Sequence, residues 1–327
     1  MPKLGILGTM VWDRIWARDS RAQPVEEWGG ITYAFAAASA ARREDWTLVP
    51  IVKVGRDLEE AALRFLHSLP GMDLSALRIV PEPNNRVELR YRDNQRRSER
   101  LTGGVPPWTW AELEPAMHDL DALYINFISG FEMELPAALH LRLAFDGPIY
   151  ADLHSILLGV DATGLRTPQP LESWREWLRC FDIVQVNEDE LAQLAQPWGD
   201  PWRFAADVVG EDLRVLFVTL GPRGAAYVAW GNAEAEPLRR RQRMSIARRG
   251  LVPHAAVISE HLAPGGGARD GDPTGCGDVW GATCFLRLLG GAGLVAAVRT
   301  ANDAAARNVE HRGATGLHHH LLGRIAQ

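Results

Sequence analysis

Apolar and polar positions change rhythm twice along this chain. Residues 4–8 form a short apolar run closed by Gly8, which predicts a buried first strand. Gly29-Gly30 then open an Ala-rich stretch, residues 31–41, that predicts a helix. Residues 47–54 predict a second strand closed by Gly55, with Asp57 placed to cap a helix running to Leu66. From about residue 78 to 102 the pattern alternates as Val87-Glu88-Leu89-Arg90-Tyr91-Arg92, turns at Asp93-Asn94 and returns. That period of two predicts a two-sided hairpin outside the main core.

After Pro106-Pro107 the rhythm becomes strand and helix in turn. Runs at 123–127, 149–153, 183–186 and 215–220 predict buried strands, with helices around 109–119, 134–145, 170–180 and 188–209. Two further helices, about 276–290 and 293–309, close the domain. Such alternation implies an α/β fold, a mostly parallel central sheet covered by helices. No internal repeat is visible.

Composition narrows the function classes. Hydrophobic residues make up 46% and charged residues 23%, ordinary for a soluble globular protein. No apolar run has the length of a membrane span, and the N-terminus has no signal-peptide layout. The net charge of −6 argues against a general nucleic-acid binder. Cys180, Cys276 and Cys284 form no Cys-x-x-Cys pair, so neither a zinc site nor a disulfide framework is expected, and a reduced, cytoplasmic setting is. Arg239-Arg240-Arg241-Gln242-Arg243 reads as a solvated loop, and His318-His319-His320 as a surface tail.

The chemistry concentrates at Asp272-Pro273-Thr274-Gly275-Cys276-Gly277-Asp278, where two carboxylates bracket small residues and an apolar run follows. If that run is a helix, its first N–H groups at Gly275, Cys276, Gly277 and Asp278 lie free, and with the positive end of the helix dipole they form an anion site. Asp278 stands beside it as a proton acceptor. An anion cradle with an adjacent base is what phosphoryl transfer to a hydroxyl needs. Val186-Asn187-Glu188-Asp189-Glu190 puts Asn187 and Glu190 on one face of a first helical turn at a strand end, where ligands gather in such sheets. Read alone, it is equally a helix start rich in acids.

These residues resemble the PfkB/ribokinase family of carbohydrate and nucleoside kinases. The stretch from Asp272 to Asp278 is similar to its C-terminal motif, with Pro273 where Thr is usual. Asn187 and Glu190 match its Asn-x-x-Glu motif, Val218-Thr219-Leu220-Gly221-Pro222-Arg223-Gly224 its nucleotide segment, and Thr300-Ala301-Asn302 the helix bordering adenine. Near the N-terminus, Gly8 to Asp13 and Gly29-Gly30 resemble its substrate-binding segments, and Val54-Gly55-Arg56-Asp57 a structural one. Ala34 stands where the family's sugar kinases carry a hydroxyl-binding Asn. No Walker P-loop and no Rossmann fingerprint occurs.

The resemblance implies one ribokinase-like domain over residues 1–327, with a β lid formed mainly by about 78–102 and part of 9–17. It implies an ATP- and Mg2+-dependent kinase acting on a hydroxyl of a small sugar or sugar derivative. Asp278 is then the general base, with Gly275, Cys276 and Gly277 as the anion hole and Asp13, Gly29 and Gly30 on the substrate. Asn187, Thr219, Gly221, Gly224 and Asn302 line the nucleotide. Glu190 serves the magnesium, and Asp272 and Thr274 a monovalent cation such as K+. Such lids often pair between subunits, which implies a homodimer. Trp12, Trp16, Trp28 and Tyr33 cluster on the substrate segments and make a nucleoside kinase the alternative. Arg86, Arg90, Arg92, Arg96, Arg97 and Arg100 would suit a sugar phosphate. A catalytically silent sugar- or nucleotide-binding regulator is the reading from another class, and the presence of both Asp278 and Glu190 argues against it.

Overall fold

The computed structural model describes residues 1–16, 23–91, 97–231, 256–266, 269 and 271–323. The expected turn at Asp93-Asn94, Arg92, Arg96 and the Arg239–Arg243 stretch lie outside those residues. Strands β1 (Lys3–Leu7), β2 (Met10–Trp16) and β3 (Val25–Gly30) lead into helix α1 (Ile31–Ala41). Next come β4 (Thr47–Ile51), β5 (Lys53–Gly55), α2 (Glu59–His67), β6 (Arg78–Val80), β7 (Arg86–Tyr91) and β8 (Arg97–Thr102). The alternating half follows: α3 (Trp110–Met117), β9 (Ala122–Asn126), α4 (Leu135–Ala144), β10 (Ile149–Asp152), a small hairpin β11 (Leu158–Val160) and β12 (Arg166–Pro168), and α5 (Trp174–Arg179). It continues through β13 (Ile183–Asn187), α6 (Glu188–Leu194), α7 (Pro201–Glu211), β14 (Val215–Thr219) and β15 (Ala225–Trp230). β16 (Val257–Leu262), α8 (Cys276–Leu289), α9 (Leu294–Asn308) and α10 (Leu317–Leu321) complete the described chain.

Eight of these strands form one sheet in the order β16-β15-β14-β13-β10-β9-β1-β4, parallel from β4 to β14 and antiparallel beyond. Its parallel strands are buried on both faces, which is why they read as continuous apolar runs. Tyr124, Tyr150 and Phe217 pack on the side of α1, α8 and α9, while Leu123, Ile125, Val184 and Val218 pack on the side of α4 and α7. The mostly parallel, helix-covered sheet expected from the pattern is therefore present.

A second, four-stranded sheet has the order β3-β2-β7-β8. It differs from the expected lid in two respects. Residues 78–80 pair with β5 instead, and residues 25–30, a stretch of mixed polarity ending in Gly-Gly, supply its edge strand. Nor does the hairpin stand clear of the core, since Val87 and Leu89 are buried in the same apolar cluster as α1. Asp57 caps no helix: its carboxylate accepts from Asn84 N at 2.8 Å and Arg86 Nη2 at 2.6 Å, tying β5 to β7. The histidines are not a surface tail, because α10 packs against α1 with Leu317 and His318 buried.

The outer side of β8 is met by the β11–β12 hairpin. Leu101 N donates to Gly164 O at 2.8 Å, Arg100 Nη1 to Thr163 O at 3.0 Å, and Arg100 bridges Leu165. Arg166 reaches across with Nη2 2.7 Å from both Ile128 O and Ser129 O, and with Nη1 3.1 Å from Ser155 Oγ and 3.5 Å from Glu99 Oε2. At 4% side-chain exposure this guanidinium binds the two sheets together. Arg166→Met is therefore expected to cost roughly 3 kcal/mol, the scale for removing one partner of a buried ion pair. Urea denaturation measures it, and a loss of only a few tenths would show that the contact carries no stability.

Candidate active site

Helix α8 is entered through Gly275, whose φ of 77° lies in the left-handed region. A Cβ there would fall 2.3 Å from the Tyr33 ring, so the position admits only glycine on two counts. Asp272 Oδ1 accepts from Thr274 N at 2.9 Å and Thr274 Oγ1 at 2.6 Å, which shapes the turn before it. Asn308 of α9 fastens the same turn, donating to Thr274 O at 2.8 Å and Cys276 Sγ at 3.3 Å. The four free donors expected here are not all free, since Cys276 N donates to Pro273 O at 3.1 Å as the turn closes. Burial pushes the Cys276 thiol up to about 11, which suits a small packing residue and not a nucleophile.

Polar side chains gather at the C-terminal ends of β9, β10, β13 and β14, the edge where such sheets bind ligands. Asn126 faces Asp152 in register, Asp152 faces Gln185, and Asn187 faces Thr219. Asn126 Nδ2 donates to Asp278 Oδ1 at 2.6 Å and so orients that carboxylate. Gln185 Nε2 donates to Asp152 Oδ2 at 2.9 Å and to Gly277 O at 3.1 Å, while its Oε1 accepts from Tyr150. Gly281 is glycine because a Cβ would meet Gln185 Oε1 at 2.4 Å and the Tyr124 hydroxyl at 2.6 Å. Asn126, Asp152, His154, Gln185 and Asn308 all escaped the sequence reading. For the first two the available signal was a polar residue closing an otherwise apolar strand.

Asn187 and Glu190 do share one turn, as a reciprocal cap. Asn187 Oδ1 accepts from Glu190 N at 2.9 Å and Glu190 Oε2 from Asn187 N at 2.8 Å. Glu190 Oε1 takes Asn187 Nδ2 at 2.7 Å and meets His154 Nδ1 at 2.9 Å. Burial opposes the charged form of His154, but the Glu190 bond and charge outweigh it and hold the imidazole up at about 9. Burial, then repulsion from Glu190, lifts Asp152 well above the usual carboxylate range.

Among the described residues no three Asp, Glu, His or Cys side chains gather as a metal-binding group. Both Glu190 oxygens already accept hydrogen bonds, so this carboxylate fits a metal held through water better than a direct ligand. Asp272 and Thr274 are likewise bonded to each other, and Arg312 Nε lies 4.0 Å from Asp272 Oδ2.

The second sheet closes over the turn from the other side. Asp13 is 4% exposed and lies over Gly29, where a Cβ would fall 1.8 Å from its Oδ2. Gly30 (φ 61°) turns the chain into α1, so the first turns of α1 and α8 meet where Tyr33 touches Gly275. The expected aromatic cluster divides. β2 and β3 pair Trp12 with Trp28 and Asp13 with Glu27, so strand alternation sends the tryptophans to the face opposite Asp13. There Trp12 and Trp28 stack edge to face at 5.2 Å, Trp28 packs on Phe65 of α2, and Trp16 lies under Arg90. The arginines are committed elsewhere: Arg86 to Asp57, Arg90 to Glu88 and Arg100 to the β11–β12 hairpin. The Arg97 side chain, like Arg92 and Arg96, is outside what the structure describes.

On the remaining side, Thr219 ends β14, and residues 221–223 turn the chain back into β15, so this segment is also a hairpin. Gly224 (φ 89°) approaches Leu262 O closely, whereas a Cβ on Gly221 would meet nothing within 4 Å. Asn302 has both ends of its amide occupied within the protein. Its Oδ1 accepts from Trp280 Nε1 at 2.8 Å and its Nδ2 donates to Leu262 O at 3.0 Å, so it is a buried packing residue. A cavity of about 620 Å³, lined by Leu101, Phe131, Met133, Val160 and Trp177 among others, opens elsewhere and is bordered by neither Asp13 nor Asp278.

No protein-family model matches the chain, and no curated protein matches it in sequence. Solved structures do match over nearly the full length. An Arabidopsis thaliana ribokinase complexed with ribose and ATP is 17% identical, with 98% of each chain covered and a TM-score of 0.67. A Burkholderia thailandensis nucleoside kinase in complex with inosine is 16% identical, covering 95% of this chain and 92% of that one, at 0.68. A pyrophosphate-dependent kinase of the ribokinase family, complexed with a pyrophosphate analog and myo-inositol, is 14% identical over 95% and 96%, at 0.70. The chain has the ribokinase fold.

Proposed function

We propose that the protein is a kinase that transfers the γ-phosphoryl group of ATP to a hydroxyl of a small sugar or sugar derivative. The observation that carries this reading is Asp278, in the first turn of a 14-residue helix entered through a left-handed glycine and held by Asn126 at 2.6 Å. The same fold serves ribose, inosine and myo-inositol complexes in the three similar structures. In the proposed reaction Asp278 takes the proton of the acceptor hydroxyl as its oxygen bonds the γ-phosphorus. The bond from that phosphorus to the ADP oxygen breaks. The turn from Gly275 to Asp278, spanning Cys276 and Gly277, carries the charge of the transferring group with the α8 dipole behind it. Asp13, Gly29 and Gly30 hold the acceptor, and Asn187, Thr219, Gly221 and Gly224 border the donor phosphates. Magnesium, when bound, offsets charge on those phosphates. Glu190 would hold it through water, and Asp272 with Thr274 would frame the turn for a monovalent cation. The second sheet serves as the lid, and its pairing between two copies would make a dimer.

Pyrophosphate as donor is a second reading, favoured by Asn302, because the polar group expected beside adenine is locked into the core. A coupled assay of phosphoryl release from ATP and from pyrophosphate, across sugars, polyols and nucleosides, tests both. Absence of transfer from either donor to any acceptor would sink the kinase reading. Glu190→Gln is expected to raise the magnesium concentration for half-maximal turnover several-fold, since it removes the charge while keeping the shape. The reciprocal cap should survive, because the Gln amide oxygen can still accept from Asn187 N. An unchanged magnesium titration would leave Glu190 a helix cap alone.

A further inference from the structure

The acceptor side of the site holds two polar groups that no step above uses. Tyr33 is 1% exposed, yet its hydroxyl has no hydrogen-bond partner. Glu27 faces Asp13 across the β2–β3 pair, so both carboxylates point to the same side of the sheet. One Glu27 oxygen, Oε1, is likewise buried and unpartnered. A buried polar atom without a partner costs stability, which marks these atoms as waiting for one.

Their surroundings say what kind of partner fits. Tyr33 lies against the Gly275 turn, and its hydroxyl is within electrostatic reach of Asp13, Glu27, Asp272 and Asp278. Burial first, then those four charges, keeps the phenol protonated far above neutral pH, so it remains a donor. Arg312 offsets part of the charge, standing 4.0 Å from Asp272 and acting on Glu27. The described hairpin arginines that would welcome a phosphate are bonded elsewhere. Carboxylates accept hydrogen bonds from neighbouring hydroxyls and repel phosphate.

We infer that Glu27 and Tyr33 are specificity residues that, with Asp13, grip an uncharged polyol bearing adjacent hydroxyls and reject its phosphate esters. The inference rests on the kinase reading for the position of the acceptor, but it is tested without any donor. Isothermal titration of the full chain would use ribose, fructose and myo-inositol against ribose 5-phosphate, fructose 6-phosphate and inositol 1-phosphate. At least one neutral compound should bind, and its monophosphate about tenfold more weakly or worse. Tyr33→Phe should weaken the neutral ligand about tenfold, the scale of one hydrogen bond to a buried group. Its melting temperature should hold or rise, because an unpartnered buried hydroxyl is gone. Glu27→Gln, which keeps the shape, should narrow the preference for the neutral compound over its ester several-fold.

The proposal is overturned if no neutral compound binds, if an ester binds as tightly as its parent, or if both variants behave as the unaltered protein does. A polyol that binds with this pattern but is phosphorylated from neither ATP nor pyrophosphate would sink the kinase reading alone.

Discussion

Asp278→Asn is expected to lower turnover by roughly two to four decades, the scale for losing a general base. The substitution keeps the side-chain volume, and its amide oxygen can still accept from Asn126 Nδ2, now at 2.6 Å from the carboxylate. What disappears is the capacity to take a proton at the head of α8. Donor affinity should change little, because the backbone of the turn is untouched. Steady-state kinetics with a melting curve of the variant decides the matter. Near-normal turnover in a folded protein would remove Asp278 from the mechanism.

Gly275→Ala should be nearly as damaging by another route. At φ 77° any side chain is strained by about 1 kcal/mol or more. The added Cβ would also sit 2.3 Å from the Tyr33 ring, which is held at 1% exposure and has little room to retreat. The turn must then shift by a sizeable fraction of an ångström, and displacements of that order cost about a hundredfold in rate. Gly277→Ala serves as the comparison, since its Cβ would meet only Gln185 Nε2 at an ordinary 3.6 Å. The expected result is a lowered melting temperature and a collapse of turnover for Gly275→Ala, with the melting temperature of Gly277→Ala near the parent's. Equal melting curves for the two would contradict the strain argument.

The central sheet was legible because its strands are buried on both faces. A run such as residues 122–126 has no polar partner face to blur it, and Gly and Pro punctuate the helices between. The second sheet was legible only in its hairpin. β3 reads Val-Glu-Glu-Trp-Gly-Gly, too polar and too glycine-rich to announce itself, and its strand state comes from pairing with β2. That omission also hid the sorting of side chains. Once residues 10–16 are a strand, Trp12 and Asp13 must face opposite ways, and a stacking role for the tryptophans beside Asp13 falls away.

The site shows the same division. Gly275, Gly277 and Asp278 were readable as a local motif, because backbone geometry and a helix start are written in consecutive residues. Asn126, Gln185 and Asn308 reach the turn from residues 152, 92 and 32 positions away, so no window of sequence contains them with it. Asn302 is the converse case. An Asn on a helix of small residues looks free until Trp280 and Leu262 O are seen to take both ends of its amide.

Arg166 gives the second sheet a mechanical character. Its guanidinium holds the carbonyls of residues 128 and 129, two and three positions past the Asn126 that aims Asp278, and the adjoining Gly164 and Thr163 grip β8. The second sheet is thus buckled to the end of β9 by a strap from its own chain. A force that lifted β8 would be delivered through this strap to the residues next to Asn126, so lifting the sheet would also disturb the aim of Asp278.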